Sequence, residues 1–167
     1  MVNNFTQINK EIIIDIAKSI KRLNVVTNHI EKCQKIEEYL YNEFGIMLNI
    51  SNNKMKSLLK SEIILNIDFP EESINKYKIY YNSIIVNLSE KINLESKRFN
   101  GININDYRIK IPYECKLKGF QDEIIYESLI YDKNYKIIKD KIEKDKIVIN
   151  KLIGNNGIIS KSEIKNN

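Results

Sequence analysis

Leu23-Asn24-Val25-Val26-Thr27, Ile46-Met47-Leu48-Asn49-Ile50, Ile63-Ile64-Leu65-Asn66-Ile67 and Ile84-Ile85-Val86-Asn87-Leu88 decide how this sequence folds. Each run is dominated by Val, Ile or Leu, and each ends in a small polar or acidic residue: Thr27, Ser51, Asp68 or Ser89. Hydrophobicity that hardly alternates is what a strand covered on both faces requires, and parallel sheets are covered on both faces. The last three runs share the order apolar-Asn-apolar-Ser/Asp. That shared order implies one local environment recurring along a sheet, not a repeat protein.

Between the runs the period changes to that of a helix. Ile30, Cys33, Ile36, Leu40 and Phe44 form one stripe. Asn28 is placed to cap that helix, Glu31 to complete a capping box, and Gly45 to take the left-handed exit. Asn52–Lys60 is a shorter helical segment with Met55, Leu58 and Leu59 on one side. Strand, helix, strand, helix, strand builds right-handed crossovers on a parallel sheet.

The flanks extend the pattern. Phe5, Ile8, Ile12, Ile16, Ala17 and Ile20 predict an amphipathic helix over Phe5–Arg22, leaving Met1–Asn4 as a short polar lead. Pro70 ends the third strand, and Glu71–Tyr77 is expected to make a helical turn. Glu90–Arg98 reads as a polar surface connection, Ile102–Ile109 as a fifth strand and Pro112–Gly119 as a further connection. Helices are expected over Asp122–Tyr131 and from Tyr135 toward Gly154, the second with Ile138, Ile142, Ile149 and Leu152 on one side. Asn155-Asn156-Gly157 is a turn signal, and residues 158–167 read as a frayed tail.

A chain of 167 residues without an internal linker is expected to be one domain, large enough for a three-layer core. Apolar residues at 43% and charged residues at 29% place it among ordinary globular proteins and exclude a disordered chain. No apolar run approaches the ~20 residues of a membrane span, and no secretory signal precedes the first helix. Cys33 and Cys115 lack metal or redox spacing, which fits free thiols in a reducing cytoplasm. The net charge of +5 comes from lysines interleaved with Glu and Asp, in a chain rich in Ile, Asn and Lys. That distribution describes a solvated surface better than a nucleic-acid footprint.

The segments Asn24-Val25-Val26-Thr27-Asn28-His29-Ile30-Glu31-Lys32, Leu40 through Gly45, and Ser61–Ile67 followed by Pro70 resemble the nicotinamide-cofactor domain of the shikimate dehydrogenase family. The resemblance covers about residues 12–72. It implies a Rossmann-like fold, NAD(P) as cofactor, and His29 near the place where an Arg of that family grips the ribose 2′-phosphate. The glycine-rich turn and first strand of that family are missing before the helix at Phe5–Arg22. All five glycines, at 45, 101, 119, 154 and 157, lie elsewhere. Without such glycines the backbone cannot approach a pyrophosphate at the helix start. The family's catalytic Lys and Asp belong to a substrate domain with no counterpart in this sequence.

Taking away the first strand converts the Rossmann order into 2-1-3-4-5, the flavodoxin-like order. The expected fold is therefore α/β and three-layered, with a mostly parallel five-stranded sheet of Rossmann-like or flavodoxin-like type. Leu23–Thr27 should pair directly with Ile63–Ile67, and a ligand should sit outside the carboxyl ends of that pair. Thr27, Asn28, His29, Asp68, Phe69 and Glu71 converge there, flanked by Ser51 and Ser89. Asp68 is the acidic residue placed as reactive aspartates often are in this architecture, although a capping carboxylate is the simpler reading.

Tyr77, Tyr80 and Tyr81 among lysines fit packing better than base stacking. One histidine and two cysteines exclude a multi-histidine metal cluster and a four-cysteine zinc site, and neither a P-loop nor a G-x-S-x-G elbow occurs. These features point to a cytoplasmic module acting through self-association or a protein partner instead of catalysis. No cofactor is expected from the residues themselves. The alternative is a nucleotide- or NAD(P)-binding enzyme or sensor using the carboxyl edge, and a third reading is weak nucleic-acid binding through basic surface. A chain beginning where the second element of a standard domain begins also suggests a shortened form, with exposed edges that favour a homodimer.

Overall fold

The computed structural model describes residues 1–94 and 99–166. The connection expected over Glu90–Arg98 falls in part on residues 95–98, outside the described residues. The chain is α/β. It runs through α1 (Gln7–Ser19), β1 (Asn24–Val26), α2 (Ile30–Phe44), β2 (Asn49–Ser51), α3 (Lys54–Leu58), β3 (Ile63–Asn66), α4 (Glu71–Ile74), β4 (Ile84–Asn87) and β5 (Ile102–Lys110). A 3-10 turn (Tyr113–Cys115), α5 (Asp122–Ile130), α6 (Tyr135–Lys144), β6 (Val148–Gly154), β7 (Gly157–Ile159) and α7 (Lys161–Asn166) follow.

The pairing differs from the expected 2-1-3-4-5 order. β1 and β2 form a parallel pair of their own, while a five-stranded mixed sheet runs β3-β4-β5-β6-β7. Its first three strands are parallel and its last two pairings antiparallel. β1 and β3 do not ladder directly, because Met1 and Val2 lie between them. Val2 N–H donates to the Val26 carbonyl at 3.0 Å, and Ile67 N–H donates to the Met1 carbonyl at 3.0 Å. The lead read as polar begins with two apolar residues, and both are buried. Burying them between two strands removes apolar surface from water and satisfies main-chain groups that would otherwise face each other across a gap.

Alternation along the strands sorts side chains onto two faces. Val25 packs with Ile13 and Ala17 of α1 and with Cys33, Ile36 and Leu40 of α2. Val26 and Ile64 turn the other way, toward Leu58, Phe69, Ile74 and Ile85. A third cluster joins Ile109 and Ile111 to Ile125 and Tyr126 of α5.

Capping chemistry sets the helix limits. Thr6 accepts from Asn9 N–H at 3.1 Å at the start of α1. Gly45 adopts φ 66 at the end of α2, as its sequence position predicts. Asn28 does not cap α2: His29 occupies that position and makes no side-chain cap bond.

The C-terminal third is the larger departure. The helix expected to run to Gly154 stops at Lys144, and Val148–Gly154 is strand β6. Lys146 takes a left-handed turn (φ 52), after which the β-branched run Ile147-Val148-Ile149 favours strand over helix. Asn155-Asn156 then makes a two-residue hairpin turn, so the segment expected to fray returns as β7 and α7.

Gly101 is required by close approach. A Cβ at Gly101 would lie 1.9 Å from the Ser83 carbonyl oxygen, which accepts the Ile102 N–H at 3.1 Å. Gly101→Ala is expected to destabilise the protein by about 1–3 kcal/mol through forced separation of β4 and β5. Urea denaturation of the variant checks this.

Candidate functional site

Because Val2 bonds to Val26 and Met1 to Ile67, the residues that follow, Asn3, Thr27 and Asp68, emerge side by side at the carboxyl edge. Asp68 accepts the main-chain N–H of Asn3 at 2.5 Å and of Asn4 at 2.6 Å, and Asn9 Nδ2 approaches at 3.4 Å. The carboxylate thus fastens the turn that leads into α1. Two successive N–H groups at a strand-to-helix turn are the donors that a bound phosphate needs. In this chain they already hold an anion belonging to the protein.

The other expected residues are likewise engaged. Thr27 is fully buried; its N–H donates to the Ser51 carbonyl at 3.0 Å and its hydroxyl accepts from His29 N–H at 3.1 Å. The exposed His29 ring meets Phe5 edge-on at 6.2 Å between centroids. Asn28 accepts from the Lys54 ammonium, which also stands 5.5 Å from the Phe69 ring centre. Phe69 is buried and held at both main-chain groups by Asn66. Glu71 turns aside and accepts from Asn93 N–H at 2.8 Å. Ser51 accepts from Asn53 N–H at 3.0 Å, whereas Ser89 is exposed. The structure therefore joins Asp68 to the turn before α1 and gathers Asn28, Lys54 and Phe69, while Glu71 belongs to another loop.

A second polar constellation lies along the same edge. Asn66 and Asn87, the repeated Asn of β3 and β4, are both buried, and Asn66 Nδ2 donates to Asn87 Oδ1 at 3.1 Å. Asn87 Nδ2 reaches Asn103 Oδ1 and Asn105 Oδ1, each at 2.8 Å. Asn103 and Asn105 donate to the Ile92 carbonyl, and Asn105 Oδ1 accepts from Ile92 N–H at 2.9 Å. Among the described residues no buried side-chain polar atom lacks a partner. This network ties β3, β4, β5 and the loop after β4 together. Asn49, third bearer of the motif, is exposed and pairs instead with Asn24 at 2.7 Å.

The sequence reading missed Met1–Asn4 and Lys54. The signal for the first was the apolar pair Met1-Val2 ahead of two asparagines. Met1 donates its α-amine to the Leu65 carbonyl at 2.6 Å, and burial pushes that amine from 8.0 down to about 5 against the attraction of Asp68. Cys33 is inert by position: burial, then the charge of Glu37, pushes its thiol up to about 12. Among the described residues no three His, Cys, Asp or Glu side chains gather to hold a metal, and no helix is long and apolar enough to cross a membrane. Compared with protein-family models, curated proteins and solved structures, the chain matches none.

Proposed function

We propose that this chain is a Rossmann-like module that works by holding a protein partner, with its ancestral nucleotide edge closed from within. If Met1–Val2 is counted as a short central strand, the strands follow the order β2, β1, Met1–Val2, β3, β4, β5, the arrangement of a dinucleotide-binding sheet. The observation that carries the reading is the bond pair from Asn3 and Asn4 to Asp68. A fixed carboxylate on those donors repels a diphosphate and occupies the two N–H groups that would receive it.

Isothermal titration with NADPH, NADH and ATP is expected to give no binding at millimolar ligand. Micromolar affinity for any of them, lost in His29→Ala, would instead establish a nucleotide sensor at the carboxyl edge.

A further inference from the structure

β5 pairs with β4 over Ile102–Ile104 and then runs on beside β6, with Lys110 opposite Val148 at its end. The loop that follows, residues 111–121, is fixed at its base. Ile111 and Cys115 pack into the cluster with Ile125 and Tyr126. The Asp122 carboxylate accepts from Ile111 N–H at 3.4 Å and pairs with the Lys116 ammonium at 3.6 Å. Cys115 N–H donates to the Pro112 carbonyl at 3.1 Å, and a second turn closes where Phe120 N–H donates to the Leu117 carbonyl at 3.3 Å. Gly119, at φ 91, supplies the left-handed third residue of that turn. With Ile111 and Cys115 anchored inward, the remaining apolar side chains are left outside: Tyr113 is 88% exposed, Leu117 60% and Phe120 64%. Leu117 and Phe120 stand at the two ends of one turn, so they form a single apolar tip.

The surroundings of this tip are basic. Between the loop and the end of α6 lies a hollow of about 540 Å³, lined by Lys110, Pro112, Glu114, Lys144, Lys146 and the exposed Val148. Lys118 is exposed between Leu117 and Gly119. Asp122 is engaged by Lys116, and Asp145 by Lys141 at 2.9 Å and the Tyr126 hydroxyl at 3.1 Å. Lys110, Lys118, Lys144 and Lys146 then outweigh Glu114.

We propose that this end of the molecule docks on an anionic lipid surface, with Tyr113, Leu117 and Phe120 entering the boundary between headgroups and acyl chains. The proposal goes beyond the reading of a protein-holding module and does not depend on it. Protruding apolar side chains ringed by cations are the pattern of a peripheral membrane contact. The kind of cation separates this occupant from a protein. Protein interfaces are depleted of lysine and enriched in arginine, and here the cations are lysines, while Arg108, two residues before Lys110, is turned to Asp106 at 3.7 Å. Lysine ammonium groups serve a fluid layer of phosphates, which offers no fixed partner for a planar fork. Nucleic acid shares the phosphates, but Leu117 and Val148 have no ring on which a base could stack.

The test is co-sedimentation with vesicles of phosphatidylcholine, alone or with about one-third phosphatidylserine. The protein is expected to bind the anionic vesicles, to bind the neutral ones about tenfold more weakly or less, and to be released by ~0.5 M salt. Leu117→Ser combined with Phe120→Ser, both at exposed positions, is expected to keep the circular dichroism spectrum and to weaken binding about tenfold or more. Lys118→Gln combined with Lys146→Gln is expected to weaken it about fivefold or more. The chain contains no tryptophan, so Phe120→Trp adds a unique reporter whose emission is expected to shift to the blue on anionic vesicles. Tyr81→Trp, just before β4 and so at the other end of the parallel strands, is expected to show no shift. No sedimentation with anionic vesicles, equal binding to neutral ones, or undiminished binding of the Leu117/Phe120 variant overturns the proposal. So does sedimentation without a shift at position 120. Binding of a labelled single-stranded oligonucleotide in place of vesicles overturns it in favour of nucleic acid.

Discussion

Lowering the pH from 8 to 5 is expected to destabilise this protein by about 3 kcal/mol, before most carboxylates titrate. The cause is the Met1 amine, buried between β1 and β3 and donating to the Leu65 carbonyl at 2.6 Å. Burial lowers it from 8.0 to about 5, partly offset by Asp68. In the unfolded chain the amine takes up a proton as the pH falls through 8; in the folded chain it does so only near 5. The unfolded state therefore binds more protons across this window, so stability rises with pH from about 5 to 8 and is lost on acidification. Each tenfold displacement in acidity is worth about 1.4 kcal/mol, which sets the magnitude. Acetylating the amine is expected to flatten the profile, because the amide keeps its N–H for Leu65 and carries no charge. Guanidinium denaturation of both forms between pH 5 and 8 gives the comparison.

Asn87→Ala is expected to cost about 3–5 kcal/mol. The side chain is buried, accepts from Asn66 and donates toward Asn103 and Asn105. Truncation leaves one N–H of the buried Asn66 amide and the Asn103 Oδ1 without their partners, removes one of the two donors to Asn105 Oδ1, and opens a cavity among β3, β4 and β5. Replacing the exposed Asn155, which accepts from Asn103 at 3.2 Å at the rim of the same network, is expected to cost under ~1 kcal/mol. Denaturant midpoints of the two variants separate a cooperative network from independent surface bonds.

The parts of the fold that were legible in the sequence are those written as uninterrupted patterns. The helix at Ile30–Phe44 carries both its stripe and its terminal glycine, and its observed limits match. The β-branched runs at Ile63 and Ile84 became adjacent parallel strands in register, Ile63 opposite Ile84. The central pairing was not legible, because two residues are too few to show a period. Met1-Val2 looks like the start of any chain, and its role depends on strands whose bonded residues lie 24 and 64 positions away. The end of the chain misled for another reason. Ile138, Ile142, Ile149 and Leu152 satisfy helical spacing across a turn at Lys146, and spacing alone does not register a left-handed residue. At the site, the repeated asparagine announced a shared environment, correct for Asn66 and Asn87 but not for Asn49. The edge residues Thr27, His29 and Asp68 were placed by strand ends, as was Ser51, whose carbonyl accepts from Thr27 N–H, yet the partners of His29 and Asp68 (Phe5, Asn3 and Asn4) lie in the stretch before α1, where the two asparagines carry no pattern.

Backbone amide hydrogen exchange, followed residue by residue by NMR, tests most directly whether Met1–Val2 is the link between β1 and β3. Val2 and Ile67 are expected to be protected, as are Val25 and Ile64, whose amides face neighbouring strands. Val26 and Leu65, equally deep in the sequence runs, are expected to exchange at least a hundredfold faster, because their amides face the open pocket between β1 and β3 that Met1–Val2 does not fill. Uniform protection along both strands, or free exchange at Val2 and Ile67, would contradict the account.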